Sequence, residues 1–234
     1  MDRQTWMGGA SRLGVPLTND QRLAMEGYVA LLLKWNARFN LISRKDVGRI
    51  WPRHILDSLS VAPVLTELAG KMGVTALRAM DLGSGAGLPG VPLAIAIPES
   101  RWLLVDRNQR KVRFLELVVS ELGLTNVRAM AADVGSAAGK VVTDGVDVVV
   151  SRAVEPPGRV AARCGHLLRE GGALVLLSGA EADRGHEQED ESMPAGARFE
   201  QMAVRELVIP GLERTHEVTI IRARGEKAVA GSGV

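Results

Sequence analysis

The sequence predicts an α/β fold: a doubly wound, mostly parallel sheet of seven strands with helices on both faces, preceded by a helical segment. Three observations predict it. Strand-like and helix-like stretches alternate over about 150 residues of the chain. A glycine-rich turn, Gly83-Ser84-Gly85-Ala86-Gly87, follows the first strand and opens a helix. The run Val146 to Val150 has the composition of a strand buried on both faces of a parallel sheet.

Taken in order, residues 1 to about 17 show little periodicity and are expected to be loosely ordered. Thr18-Asn19-Asp20-Gln21 has the capping-box pattern of a helix start. Leu23, Tyr28, Leu31, Leu32, Trp35 and Phe39 follow at roughly helical spacing, predicting an amphipathic helix to about Asn40 with Trp35 and Phe39 in its core face. Ser43 caps a second short helix, and Pro52 begins another that runs through Ile55, Leu59, Ala62 and Leu65. Residues 1–72 therefore read as a helical extension and 73–224 as the α/β domain, with a disordered tail over 225–234.

Within the domain, strands are expected at Ala76 to Leu82, Trp102 to Val105, Val127 to Met130 and Val146 to Val150. Helices are expected at Pro92 to Ile97, Gln109 to Leu122 and Pro157 to Leu168. Gly171-Gly172 reads as a turn before a fifth strand, Ala173 to Leu177. After the acidic stretch Glu181 to Gly196, Phe199 to Ile209 and Glu217 to Ala223 read as a closing antiparallel pair.

Composition narrows the function classes. Apolar residues make up 46% of the 234 and charged residues 24%, the balance of a soluble globular protein with one sizeable core. No apolar run reaches the length of a membrane span, and Met1 to Gly9 lack the order of a secretory signal, so a cytoplasmic protein with no membrane partner is expected. Cys164 is the single cysteine, which excludes an internal disulfide and a cysteine-rich zinc site. It falls among apolar helix residues and reads as a buried thiol. His54, His166, His186 and His216 lie far apart in the chain, so no metal is expected.

Net charge is only +2, but the basic residues cluster. Lys34, Arg38, Arg44, Lys45, Arg49 and Arg53 face a single acid, Asp46, and Arg101, Arg107, Arg110, Lys111 and Arg113 surround Asp106. Such clusters on a near-neutral chain mark either a phosphate-binding face or solvated helix surfaces. On the first reading, Arg38, Arg53, Arg107, Arg110 and Lys111 are the candidate phosphate contacts.

The glycine turn carries the most chemistry. Its glycines let the chain turn tightly and let a ligand approach backbone amides, while Asp106 ends the next strand where a carboxylate accepts the ribose hydroxyls of an adenosine. Gly85-Ala86-Gly87-Leu88-Pro89-Gly90 also fits G-x-G-x-x-G, so a nicotinamide-dependent oxidoreductase is the alternative reading. Two features favour S-adenosyl-L-methionine instead. Asp81 stands where a carboxylate reaches the amino group of a methionine and repels a pyrophosphate. Pro89 and Pro92 remove amide donors from the helix start that a pyrophosphate would use.

The stretch after the fourth strand, Ser151-Arg152-Ala153-Val154-Glu155-Pro156-Pro157, lacks the aromatic residue that enzymes acting on exocyclic base amines place after Pro-Pro. Cytosine C5 chemistry needs a loop cysteine, which Cys164 is not. Guanine N7 carries an in-plane lone pair and no proton, so its methylation requires alignment rather than a general base. A chain without an obvious base is compatible with that chemistry.

Trp35-Asn36-Ala37-Arg38-Phe39-Asn40-Leu41-Ile42-Ser43, Arg53-His54-Ile55-Leu56-Asp57-Ser58, the glycine turn ending Leu88-Pro89-Gly90-Val91-Pro92, and Ser151-Arg152-Ala153 together resemble the RsmG (GidB) family over roughly residues 20 to 223. The resemblance implies a Rossmann-like class I methyltransferase fold and transfer of a methyl group from S-adenosyl-L-methionine to a guanine N7 of 16S ribosomal RNA. Naked RNA or the small ribosomal subunit would be the partner, met by a monomer. It places Gly83 and Leu88 at the donor, Ala132 and Asp133 beside the adenine, and Arg152 near donor and acceptor. Our own reading adds Asp81, Gly85, Gly87 and Asp106. Asn36, Asn40, Arg53, His54 and Asp57 match the family's helical cover, where capping and helix-to-domain hydrogen bonds are the plainer roles for His54 and Asp57. A non-catalytic RNA- or ribosome-binding module is the remaining alternative. The chain departs from the family pattern at Ser178-Gly179 and Ala131, where basic residues are usual, and the family's late arginine falls at Arg214, near His216.

Overall fold

The computed structural model describes residues 3–134, 145–152, 156–178, 199–213 and 215–224. Contrary to the expectation of loose order, the chain opens with helix α1 (Arg3–Arg12). Trp6 is fully buried and stacks on Trp51, ring centroids 4.5 Å apart. That contact joins residues distant in sequence, so no local period announces it.

Helix α2 (Asn19–Asn36) starts on the expected capping box, Thr18 and Gln21 exchanging bonds of 2.9 and 3.2 Å. Its buried face is Met25, Tyr28, Val29 and Leu32, an i, i+3, i+4, i+7 set. The helix stops before the predicted end because the Asn36 side chain accepts from the backbone amides of Leu41 and Ile42, at 2.8 and 2.9 Å, and turns the chain away. Phe39 is consequently 38% exposed rather than core, and Leu23 lies outside the buried face.

Ser43 caps a 3₁₀ turn, Arg44–Arg49, through its hydroxyl and the Lys45 amide. A π-helical turn, Trp51–Leu56, then runs into the short helix α3 (Asp57–Leu59) and on to α4 (Ala62–Met72), which Gly73 ends in the left-handed conformation.

The strands are β1 (Arg78–Leu82), β2 (Arg101–Asp106), β3 (Val127–Ala131), β4 (Val146–Ser151), β5 (Leu168–Ser178), β6 (Phe199–Leu207) and β7 (His216–Ala223). They form one sheet in the order β3-β2-β1-β4-β5-β7-β6, parallel except for β7, which runs antiparallel between β5 and β6. Between them lie α5 (Gly90–Ala96), α6 (Gln109–Glu121) and α7 (Pro157–Cys164). β4 is buried at every residue. Asp147 is tolerated there because it accepts from the Arg78 amide at 2.7 Å and pairs with Arg169. β5 starts earlier than the sequence suggested. Gly171, with φ +71°, lies inside the strand, so the expected turn is only an irregularity in the ladder.

Alternate strand residues face opposite sides of the sheet. Ala79, Leu104, Val148, Val150 and Val175 join one core with α1, α2, α4, α5 and α6. Met80, Val105, Val149, Leu174 and Ile221 join the other with Val160, Ala161 and Cys164 of α7. Cys164 is buried there, as its apolar neighbours suggested. No helix among the described residues is long and apolar enough to cross a membrane.

Candidate active site

A cavity of about 340 Å³ opens at the carboxyl ends of β1, β2 and β4, where ligands of open α/β sheets bind. The glycine turn forms its rim. Gly83 and Ser84 donate their amides to the Val105 carbonyl at 2.8 and 2.9 Å, strapping the turn to β2. Gly83 takes φ +72°, and the space where a side chain would stand is open.

The two acids bracketing the turn have different tasks. Asp106 accepts from the amides of Gly85 and Asn108 at 2.9 and 2.8 Å, with Lys111 Nζ 4.0 Å away, and it lines the cavity. Asp81 lies beneath the turn, fully buried. One oxygen, Oδ2, accepts from the Ser84 hydroxyl and the Gly90 amide at 2.6 and 2.9 Å, while Oδ1 has no partner. Burial pushes its carboxyl up to about 6, against the lowering effect of the Ser84 and Gly90 bonds. A buried carboxylate oxygen without a partner suits a cationic ligand group, so Asp81 and the open backbone at Gly83 fit a methionine-bearing adenosine. The same geometry disfavours the dinucleotide reading, because the first amide of α5 is already given to Asp81.

Arg152 follows β4 and enters the cavity from the opposite side. Its guanidinium is held by residues of the helical segment: Nη2 lies 2.9 Å from Asp57 Oδ2 and 3.1 Å from the Ser58 hydroxyl, and Nη1 lies 3.1 Å from His54 Nδ1. Asp57 also binds His216 Nδ1 at 2.6 Å. Burial, then the Arg152 charge, pushes His54 down to about 4, so its neutral ring accepts from Arg152 through Nδ1. The sequence separation of the histidines hid their places in one network, His54 against Arg152 and His216 against Asp57. From α2, Tyr28 donates to the Ala86 carbonyl at 2.8 Å and clamps the turn.

Of the residues singled out in the sequence, Gly83, Asp106, Arg107, Lys111, Ala132, Asp133 and Arg152 line the cavity. The other cofactor candidates do not. Asp81 is fully buried beneath the turn, Gly85 is fixed through its amide, Leu88 is buried, and the side-chain direction of Gly87 is filled by Val91, Leu115 and Tyr28. Arg53 is turned to Asp46, 3.1 Å away, while Arg38 and Arg110 are exposed away from the cavity lining. Sequence reasoning missed Arg163, which reaches the cavity from α7, and the apolar walls Leu82, Val105 and Val134. No local pattern distinguishes Arg163 from a surface arginine. Ala153 to Glu155, Gly179 to Gly196, Arg214 and the tail from Gly225 fall outside the described residues.

The GidB family, described as rRNA small subunit methyltransferase G, matches residues 21–216. The ribosomal RNA small subunit methyltransferase G of Ralstonia nicotianae is 37% identical over 91% of this chain and 92% of its own. That of Burkholderia pseudomallei is 40% identical over 88% of this chain and 84% of its own. A SAM-dependent methyltransferase structure from Aquifex aeolicus shares the fold, with TM-score 0.53 and 14% identity over 74% of this chain and 92% of that one. With the family match covering most of its length, the chain belongs to the GidB family of rRNA small subunit methyltransferase G proteins.

Proposed function

We propose that the protein transfers a methyl group from S-adenosyl-L-methionine to N7 of a guanine in the 16S RNA of the small ribosomal subunit. The observation that carries the reading is the pair of acids around the glycine turn: Asp81 with a buried unpartnered oxygen, and Asp106 fixed at the cavity wall. Family membership supplies the acceptor.

In this reading Asp81 meets the donor's ammonium group, Gly83 leaves its backbone accessible, Asp106 accepts the ribose hydroxyls, and Ala132 and Asp133 flank the adenine. When bound, the donor supplies an electrophilic methyl on a sulfonium. No residue needs to remove a proton, because guanine N7 has none to lose. The protein's task is alignment, and Arg152 is the side chain placed to do it. A free cation beside a base that becomes cationic would be adverse. Asp57 offsets that charge at 2.9 Å. Residues 1–72 act as the cover that supplies Asp57, Ser58 and His54.

The test is labelled methyl transfer to small subunits from cells lacking this gene, with the product base identified by mass spectrometry. Incorporation as 7-methylguanine, lost in Asp81→Asn while the melting transition stays cooperative, is the expected result. Donor binding without incorporation would refute the acceptor, and absence of donor binding would refute the reading as a whole.

A further inference from the structure

Beyond α2 the chain presents a surface that the methyl-transfer site does not use. Trp35 and Phe39 stack at 5.7 Å between centroids and 10° between planes, and the Arg38 guanidinium lies 5.7 Å from the Trp35 ring centre. Phe39 is 38% exposed, and Leu33 and Val47 are also exposed. Trp35 is half-buried against the core, whereas its partner Phe39 is left open to solvent and forgoes the burial that usually justifies a ring. Here Asn36 enforces the opening by turning the chain onto the Leu41 and Ile42 amides.

Lys34 on α2, Arg38 just beyond it, and Arg44, Lys45 and Arg49 on the 3₁₀ turn that follows are all exposed. The only acid of the segment, Asp46, is engaged by Arg53 at 3.1 Å and faces His54 Nε2 at 3.7 Å. No ion pair among the described residues neutralises the five exposed cations. The surface is also joined to the cavity. Asp46 holds Arg53 and faces His54, and His54 contacts Arg152, which lines the cavity.

An exposed ring stacked on a fixed indole, on a segment rich in unpaired cations, has the chemistry of a single-stranded nucleic-acid platform: the exposed ring takes a base face and the cations track phosphates. We propose that the Trp35–Phe39 stack, with Arg38, Arg44, Lys45 and Arg49, holds an unpaired nucleotide of the RNA flanking the one that enters the cavity. This rests on the rRNA-methyltransferase reading for the identity of the RNA. The platform itself is independent of methyl transfer.

The experiment measures binding of the full chain to a labelled single-stranded uridine oligomer of about twelve nucleotides and to its abasic counterpart. Wild type is expected to prefer the base-bearing oligomer. Phe39→Ala should weaken that oligomer at least about fivefold, the loss of one stacked base, and leave the abasic one unchanged. Phe39→Tyr should keep wild-type affinity, and both variants should keep the melting temperature and donor binding. Replacing Arg44, Lys45 and Arg49 together should lower the salt slope by about 2 for both oligomers. Equal wild-type affinity for the two oligomers, no binding to either, or no effect of Phe39→Ala would overturn the platform. A protein that transfers no methyl yet shows this base-dependent binding would sink the functional reading and leave the platform standing. Binding to anionic vesicles with the same Phe39 dependence, and none to the oligomers, would assign the surface to a membrane instead and overturn it.

Discussion

Asp57 and Arg152 meet at 2.9 Å across the junction between the helical segment and the carboxyl end of β4, although 95 positions apart in the chain. The same carboxylate binds His216 on its other oxygen, so one side chain joins three regions of the sequence. Replacing it with alanine leaves a guanidinium and an imidazole facing each other. We expect Asp57→Ala to lose about 2 to 3 kcal/mol of stability, below the fully buried range because the Arg152 side chain is 24% exposed. Donor affinity should change less than kcat, since Asp57 acts through Arg152. Denaturant unfolding with donor titration and turnover measurements checks both.

Two buried groups give opposing pH dependences. His54, lowered to about 4, is neutral in the folded protein where its unfolded form is protonated, so it contributes stability that rises with pH from about 4 to 6.5. Asp81, raised to about 6, holds its proton longer when folded, so its contribution falls as pH rises from 3.8 to about 6. The two offset each other in the wild type. In Asp81→Asn stability should rise with pH across this window, and in His54→Gln it should fall, each by up to about 3 kcal/mol. Urea midpoints at a series of pH values read the slopes directly, and parallel wild-type and variant curves would refute the assignment.

Glycine substitutions should separate binding from stability. At Gly90 an added Cβ meets Asp81 Oδ2 at 2.7 Å and the Leu104 side chain, so Gly90→Ala should cost about 1 to 3 kcal/mol and disturb the turn. At Gly83 nothing is within reach and only φ +72° resists, a cost of about 1 kcal/mol. Gly83→Ala should therefore stay folded while losing donor affinity, because its methyl projects where backbone access is needed. Thermal melts and calorimetric donor titration distinguish the two outcomes.

Trp6→Ala should remove about 3 to 5 kcal/mol, since the ring is fully buried against Trp51. A loss below about 1 kcal/mol, read from denaturant unfolding, would mean that α1 is not docked as described.

That α1 was unreadable from its residues, while the glycine turn was plain, reflects what each depends on. The turn is local: Gly83, Gly85 and Gly87 all take positive φ, and the acids fall at fixed offsets from strand ends. The sheet was legible for the same reason, each strand announcing itself by composition, although Gly171 inside β5 mimicked a turn. What escaped depends on partners far along the chain. Trp6 needs Trp51, the His54 tautomer needs Arg152, and Arg163 needs the cavity opposite it. Phe39 was misplaced because periodicity cannot show that Asn36 stops the helix.

The position of β7 bears on how the chain is made. It lies inside the sheet, between β5 and β6, yet it follows both of them in the chain. Until His216–Ala223 emerges, a nascent chain holds β5 with one edge unpaired, β6 without a neighbour, and Asp57 without its imidazole. An open apolar edge of that kind invites pairing with other chains. Products cut short before β7 should therefore aggregate rather than fold, and the junction around Asp57 is completed only after every other described strand has been made.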